Sequence, residues 1–189
     1  ANMELPPDRF KTFLPLPVTL ITSLDAQKIV NAAPYSCVMP ILRPLELIAL
    51  ASALPRDTLK NIRQTREFVV NVMGRPGFRQ AMQCARNYPP EVNELAEVGL
   101  ATMPSRKVAP PRVGDAIGWI EAVLEQEVTG ENYALLIARV VCAEINDKYW
   151  QEGKFLESPI MMLSPQLRAL GGNLADPAEF AQVAAEVKF

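Results

Sequence analysis

The most constraining feature of this chain is a pair of long extended segments joined by one tight turn. Residues 119–128 alternate, with Ile120, Ala122, Leu124 and Val128 on one face and Glu121, Glu125 and Glu127 on the other. Thr129-Gly130-Glu131-Asn132 follows as a hairpin turn, and residues 133–145 continue as a strand with apolar side chains on both faces. A strand apolar on both sides within an antiparallel ladder needs cover on both, which suggests a barrel wall that also meets another subunit.

Other extended segments fit the same architecture. Residues 16–24 read as a strand, Asp25-Ala26-Gln27-Lys28 as a turn, and residues 29–39 as the returning strand. Pro34 within the returning strand places it at a sheet edge or a bulge. Residues 45–52 are apolar on both faces except at Glu46 and read as a central strand. Residues 68–73 form a short strand and 160–163 a last one. Helices are expected to run to about Arg66, starting from a cap at Asp57 or Thr58 with Leu59, Ile62 and the stem of Arg63 facing inward. Further helices are expected over residues 78–86, over 91–98 with Gly99 ending it, and over 177–187 after Gly171-Gly172. Gly74-Arg75-Pro76-Gly77 breaks the chain and does not fit a dinucleotide fingerprint. The fold class is therefore α+β, mainly antiparallel β, with helices inserted into a barrel. No repeat or composition break divides the 189 residues, and the expectation is a single domain over 1–189.

Composition excludes several classes of function. A formal charge of −2 offers no field to attract nucleic acid or anionic lipid. There is no histidine, so a Cys/His zinc site, a His-ligated haem and imidazole catalysis are ruled out. Cys37, Cys84 and Cys142 are far apart, and they read as buried reduced thiols of a cytoplasmic protein. Ala1-Asn2 reads as a non-native addition ahead of a native Met3, with no signal peptide following and no apolar run of membrane-spanning length.

One segment carries chemistry. After strand 45–52, the loop Ala53-Leu54-Pro55-Arg56-Asp57-Thr58 opens a helix. Unpaired amides at a helix N-terminus, together with Arg56 and Thr58, make a seat for an anion such as phosphate. The small-residue stretch Asn31-Ala32-Ala33-Pro34-Tyr35-Ser36 would let a flat ligand approach the backbone. Arg106, Lys107 and Arg112 lie in a Pro-rich segment over residues 101–115, either as a solvated connection or as a second cationic arm toward the phosphate.

Taken in order, Pro15-Leu16-Pro17-Val18-Thr19-Leu20-Ile21-Thr22-Ser23, Asn31-Ala32-Ala33-Pro34-Tyr35-Ser36, Arg56-Asp57-Thr58-Leu59-Lys60-Asn61, Phe68-Val69-Val70-Asn71, Pro104-Ser105-Arg106-Lys107-Val108 with Pro110-Pro111-Arg112, and Ile137-Ala138-Arg139-Val140-Val141 resemble the flavin reductase-like family, which includes flavoredoxins. The resemblance runs from about residue 15 to 172. It implies an FMN-binding split β-barrel and a homodimer with the flavin site at the subunit interface. It also implies that Asn31, Ala33, Ser36 and Cys37 line the flavin ring and ribityl chain. Ser52, Arg56, Thr58 and Asn61 would hold the phosphate, with Lys107 as a further candidate. One phosphate for one helix N-terminus favours FMN over FAD, and the flavin itself would carry the redox chemistry, so no catalytic side chain is assigned. Three functions fit the resemblance. The first is an NAD(P)H-dependent flavin reductase, serving an oxygenase or other acceptor. The second is a flavoredoxin-like carrier fed by a protein donor, and the third is a flavin-free binding module. Many relatives carry a histidine near the position of Tyr133, which this chain lacks.

Overall fold

A computed structural model describes residues 1–163, 168–170, 182 and 185–186. The Gly171-Gly172 pair and nearly all of the helix expected over 177–187 lie outside the described residues. A 3-10 turn (Pro7–Thr12) precedes β1 (Leu16–Pro17), β2 (Thr19–Leu24), β3 (Val30–Tyr35), β4 (Val38–Pro40) and β5 (Leu47–Ala53). Helix α1 (Asp57–Thr65), β6 (Glu67–Val72), α2 (Phe78–Gln83) and α3 (Glu94–Val98) follow. Then come β7 (Thr102–Met103), β8 (Arg112–Val113), β9 (Gly118–Thr129) and β10 (Tyr133–Ile145), a small hairpin of β11 (Trp150–Gln151) and β12 (Lys154–Phe155), β13 (Met161–Leu163) and β14 (Arg168–Leu170).

Seven strands form one antiparallel sheet in the order β3-β2-β6-β9-β10-β5-β4. The two ends of that order, β3 and β4, are consecutive in the chain and separated only by Ser36 and Cys37. Three Cα steps span at most about 11 Å, so the sheet must curl until its first and last strands meet. It closes as a barrel with an unpaired seam between β3 and β4. Ile21, Leu50, Phe68, Val70, Leu124 and Leu136 fill the concave interior, and Leu59 and Ile62 of α1 join them. The outer face carries a second core in which Leu20, Val69 and Trp119 pack against Ala81 and Leu95 of the α2–α3 region and against Val113. Both faces of β2 and β6 are therefore buried. Among the described residues no helix is long and apolar enough to cross a membrane.

Several sequence expectations hold. The β9–β10 hairpin forms, β2 pairs with β3, and Asp25 shapes their turn by accepting from the Gln27 and Ile29 amides at 2.9 and 2.8 Å. Pro34 lies on the edge strand. The Ala32 N–H points away from β2, toward Glu94, so by strand alternation position 34 also faces outward, where a missing N–H breaks no ladder. Gly99 ends α3 at φ +74°.

Other expectations need correction. The returning strand over 29–39 splits, because β4 leaves β2 and pairs with β5 at the far end of the sheet. β5 lies next to β4 rather than at the centre, and Leu45 stays outside it and exposed. The helix expected over 78–86 stops at Gln83. The next one starts only at Glu94, capped by Asn93, whose side chain accepts from the Leu95 and Ala96 amides. The stem of Arg63 does not face inward; its side chain is exposed and paired with Glu127 at 2.6 Å.

The alternation of β9 is also interrupted. Ile137 pairs with Gln126 and Ala138 with Leu124, which leaves Glu125 as an extra residue. Beyond this bulge Val128 is 45% exposed rather than aligned with Leu124. Glu121 is fully buried rather than solvated, because the segment over 101–115 covers that face. Its carboxylate accepts from the Arg106, Lys107 and Val108 amides at 3.0, 2.6 and 3.2 Å and pairs with buried Arg112, which also pairs with Glu144. Arg112 lies over the Trp119 ring at 5.0 Å, and Asn71 accepts from the Val113 amide at 2.7 Å. The basic segment is thus a tether clamped to the barrel wall.

Burial pushes the Glu121 carboxyl up, but the Arg106 and Lys107 amides and the Arg112 guanidinium outweigh it and hold it below the usual carboxylate range. Stability from a depressed carboxylate is in place above its unfolded pKa of about 4.3 and is lost as pH falls through the folded value. Arg112→Ala is expected to lower unfolding free energy by about 3–5 kcal/mol, because it leaves a buried charge uncompensated. Paired replacement by Arg112→Met and Glu121→Gln, which removes both charges and keeps an acceptor for the Arg106, Lys107 and Val108 amides, should cost less, and urea unfolding at pH 7 measures both. The gap between wild type and Arg112→Ala should narrow below about pH 4.

Candidate functional site

The seam between β3 and β4 opens into a cavity of about 590 Å³, within the size range of small-molecule and cofactor sites. Three walls enclose it. The first is the end of β3 and the seam itself, with Asn31, Ala33, Tyr35, Ser36 and Cys37. The second is the β5–α1 junction, where Ala51 and Ala53 form a small-residue floor and Arg56, Asp57 and Thr58 stand at the head of α1. The third comes from the chain after α2, with Cys84, Arg86 and Tyr88, and from Glu94 at the start of α3. Ala33, Ser36, Ala51 and Ala53 leave the backbone within reach of a flat ligand.

The head of α1, like that of α2, has no side-chain cap, unlike the heads of α3 and of the second 3-10 turn. Asn93 caps α3 and Asn146 caps the 3-10 turn at Asp147–Tyr149 through their side-chain oxygens. The N-cap of α1 is Arg56, in an extended conformation, with no side-chain hydrogen bond to the first-turn amides. This corrects the expectation that Asp57 or Thr58 caps the helix, since these are its first two residues. Uncapped amides carry the positive end of the helix dipole, and the residues at this end, Arg56, Asp57 and Thr58, line the cavity. A phosphate monoester is a good fit for such a seat, with the Arg56 side chain beside it.

Of the residues expected at the site, Asn31, Ala33, Ser36, Cys37, Arg56 and Thr58 line the cavity. Thr58 is buried and its hydroxyl accepts from the Asn31 amide at 2.9 Å, so α1 and β3 are tied directly. Ser52 stands behind the wall, with its hydroxyl 3.0 Å from that of Tyr35 and donating to the Ala53 carbonyl. Asn61 is buried one turn further along α1, donating to the Ser23 hydroxyl at 3.2 Å. Lys107 does not line the cavity, and its main-chain amide belongs to the Glu121 clamp.

Sequence reasoning missed Tyr35, Glu94 and the stretch from Cys84 to Tyr88. Asn87-Tyr88-Pro89-Pro90 reads in sequence only as a break between helices. Its approach to β3 comes from the way α2 and α3 pack on that strand.

The cysteines divide three ways, which corrects the expectation of three buried thiols. Cys37 is exposed on the seam, Cys142 is half-buried, and Cys84 is buried. Burial, reinforced by the nearby Glu94 carboxylate, pushes the Cys84 thiol up to about 12.

The curled antiparallel sheet with its open seam is the split barrel of flavin reductases. The sequence profile described as "Flavin reductase like domain" matches residues 11–159, and the chain belongs to that family. An uncharacterised protein of Methanothermobacter thermautotrophicus is 39% identical over 162 residues, covering 81% of this chain and 76% of the relative. The structure is similar to nitrilotriacetate monooxygenase component B from Bacillus cereus, with TM-score 0.80 and 24% identity over 93% of this chain and 99% of the other. It is also similar to flavoredoxin of Desulfovibrio vulgaris (Miyazaki F), with TM-score 0.78 and 18% identity over 93% and 97% of the two chains. At these identities the two structures establish a shared fold.

In the folded protein, Cys37 should be alkylated by iodoacetamide at pH 8 within minutes, while Cys84 stays unmodified until the chain is unfolded. Peptide mass spectrometry with and without urea reads both outcomes.

Proposed function

We propose that the seam cavity binds FMN and that the protein is an NAD(P)H-dependent flavin reductase. The observation that carries the reading is the uncapped N-terminus of α1 opening onto a cavity walled by small residues. In this arrangement the first-turn amides and Arg56 receive the phosphate. Asn31, held by Thr58, and the main chain of residues 31 to 37 border the polyol and ring. Bound there, the flavin would accept a hydride from reduced nicotinamide and pass electrons on, which requires no acid or base from the protein. The chain's contribution is to orient the cofactor and to control access along the seam.

A flavoredoxin-like electron carrier is the second reading, favoured by the absence of histidine and by the similarity to a flavoredoxin. The similarity to a monooxygenase component supports an oxygenase as one class of acceptor. The unpaired cysteines suit a reducing compartment such as the cytoplasm. A homodimer is part of the proposal. An apolar opening of about 660 Å³ into the barrel is lined by Val70 and Ile120 from the interior and by Val38, Met39, Leu45 and Val140 at β4, β5 and β10, and Met39 is 58% exposed. A second copy covering this opening would remove that apolar surface from water.

The test is an absorbance spectrum of the protein reconstituted with FMN, followed by anaerobic NADH and NADPH. Bleaching of bound flavin at catalytic rates is expected from a reductase; bands that persist with both nucleotides identify the carrier. Failure to bind FMN overturns both. Arg56→Ala combined with Thr58→Ala should weaken FMN binding at least tenfold. Thr58 is buried and bonded to Asn31, so about 1 kcal/mol of stability should be lost as well. Fluorescence titration and urea unfolding separate the two effects.

A further inference from the structure

Glu94 is a carboxyl in an unusual position. It opens α3, lines the seam cavity and is only 8% exposed. Its Oε2 accepts the outward-facing Ala32 N–H of the edge strand at 2.9 Å. None of the ion pairs formed among the described residues includes it. A buried carboxylate without a cation is costly to ionise. Burial pushes the Glu94 carboxyl above its ordinary range, and Asp57 adds to this, against the Ala32 amide and its own N–H.

The other charged and titratable groups facing this cavity are Arg56 and Asp57 at the head of α1, Arg86 after α2, the Cys37 and Cys84 thiols, and the Tyr35 and Tyr88 phenols. Asp57 stands next to the seat proposed for phosphate. A phosphate monoester there brings up to two further negative charges into an enclosure already holding Asp57 and Glu94. Like charges close together in low dielectric do not all stay ionised. The carboxyl that burial already disfavours in its charged form is the one that yields.

Resting on the flavin reading of this cavity, we propose that Glu94 takes up one proton from solvent as a phosphorylated flavin binds. It thereby sets the cavity's discrimination between charged and uncharged flavins. The balance is simple: ionised protein, FMN dianion and one proton give a complex with Glu94 neutral. Below its raised pKa Glu94 is already neutral and binding is tightest. As pH rises between the free and bound pKa values, FMN must bring a proton with it, and affinity falls by up to tenfold per pH unit. Riboflavin, which has no phosphate, escapes this dependence.

The test is calorimetric titration of FMN and of riboflavin into wild type and Glu94→Gln, in two buffers of different ionisation enthalpy at each pH from the ordinary carboxylate range up to pH 8.5. Gln keeps an acceptor for the Ala32 amide and cannot ionise. Subtracting its result removes the titration of the FMN phosphate itself, whose second pKa is about 6. The expected result is greater proton uptake by wild type than by Glu94→Gln with FMN, and no such difference with riboflavin. The affinity of wild type for FMN should also fall more steeply with pH. Equal proton counts and parallel pH profiles, with FMN still bound, overturn the role of Glu94 alone. Loss of FMN binding in both proteins at every pH overturns the flavin reading instead. Should Glu94→Gln not fold, Asp57→Asn provides the second comparison. Removing that charge should move the wild-type pH dependence to lower pH, and an unmoved profile overturns the proposal.

Discussion

The link between β3 and β4 constrains the rest of this molecule. Two residues, Ser36 and Cys37, connect strands at opposite ends of a seven-stranded order. The sheet has no choice but to curl through all its other ladders, and the curl buries Phe68, Leu124 and Leu136 in one interior. It also leaves β3 and β4 side by side without a ladder between them. The Cys37 carbonyl accepts the Ala51 amide at 2.9 Å, which carries the β4–β5 pairing up to the seam. The seam that makes the barrel split is therefore also the opening of the cavity. One short connection accounts for both fold and site.

Two polar devices keep that opening in shape. On the barrel wall, Glu121 gathers three consecutive amides and the Arg112 guanidinium, so the long segment after α3 is held flat on β9. At the cavity, polar pairs reach between elements: Asn31 to Thr58 joins β3 to α1, Ala32 to Glu94 joins β3 to α3, and Tyr35 to Ser52 joins β3 to β5. Each of these bonds ends on β3, an edge strand, and the one to Glu94 satisfies an outward backbone N–H that no neighbouring strand reaches. An edge that would invite association is managed here by the side chains that build the site.

Membership of the flavin reductase-like family fits this economy. A flavin brings its own redox chemistry, so the protein can act without a histidine or an identifiable acid–base pair, provided it offers a shaped cavity and an anion seat. The asymmetry of capping supports that division of labour. Asparagine closes the heads of α3 and of the 3-10 turn at Asp147–Tyr149, whereas α1 and α2 have no side-chain cap, and of these two it is α1 whose first residues line the cavity.

Much of this was legible in the sequence where the signal is local. Alternation over 119–128, Thr-Gly-Glu-Asn and the run over 133–145 suffice for the hairpin. Leu59 and Ile62 mark the inner face of α1, Pro34 marks an edge, and Arg56 and Thr58 mark the head of α1. What sequence could not decide depends on contacts far apart along the chain. Glu121 sits in a solvent-like pattern and is buried only because residues 106–112 fold over it. Lys107 looks like a phosphate arm, yet its segment is fastened to the wall by that same glutamate. Cys37 and Cys84 read alike, but one lies exposed on the open seam and the other is buried at the end of α2. Glu94 reads as an ordinary helix-opening acid until α3 packs on β3 and turns its carboxyl toward Ala32. Period and propensity act over a few residues and so determine the elements; which face meets water, and which charge loses it, is decided only when those elements close on one another.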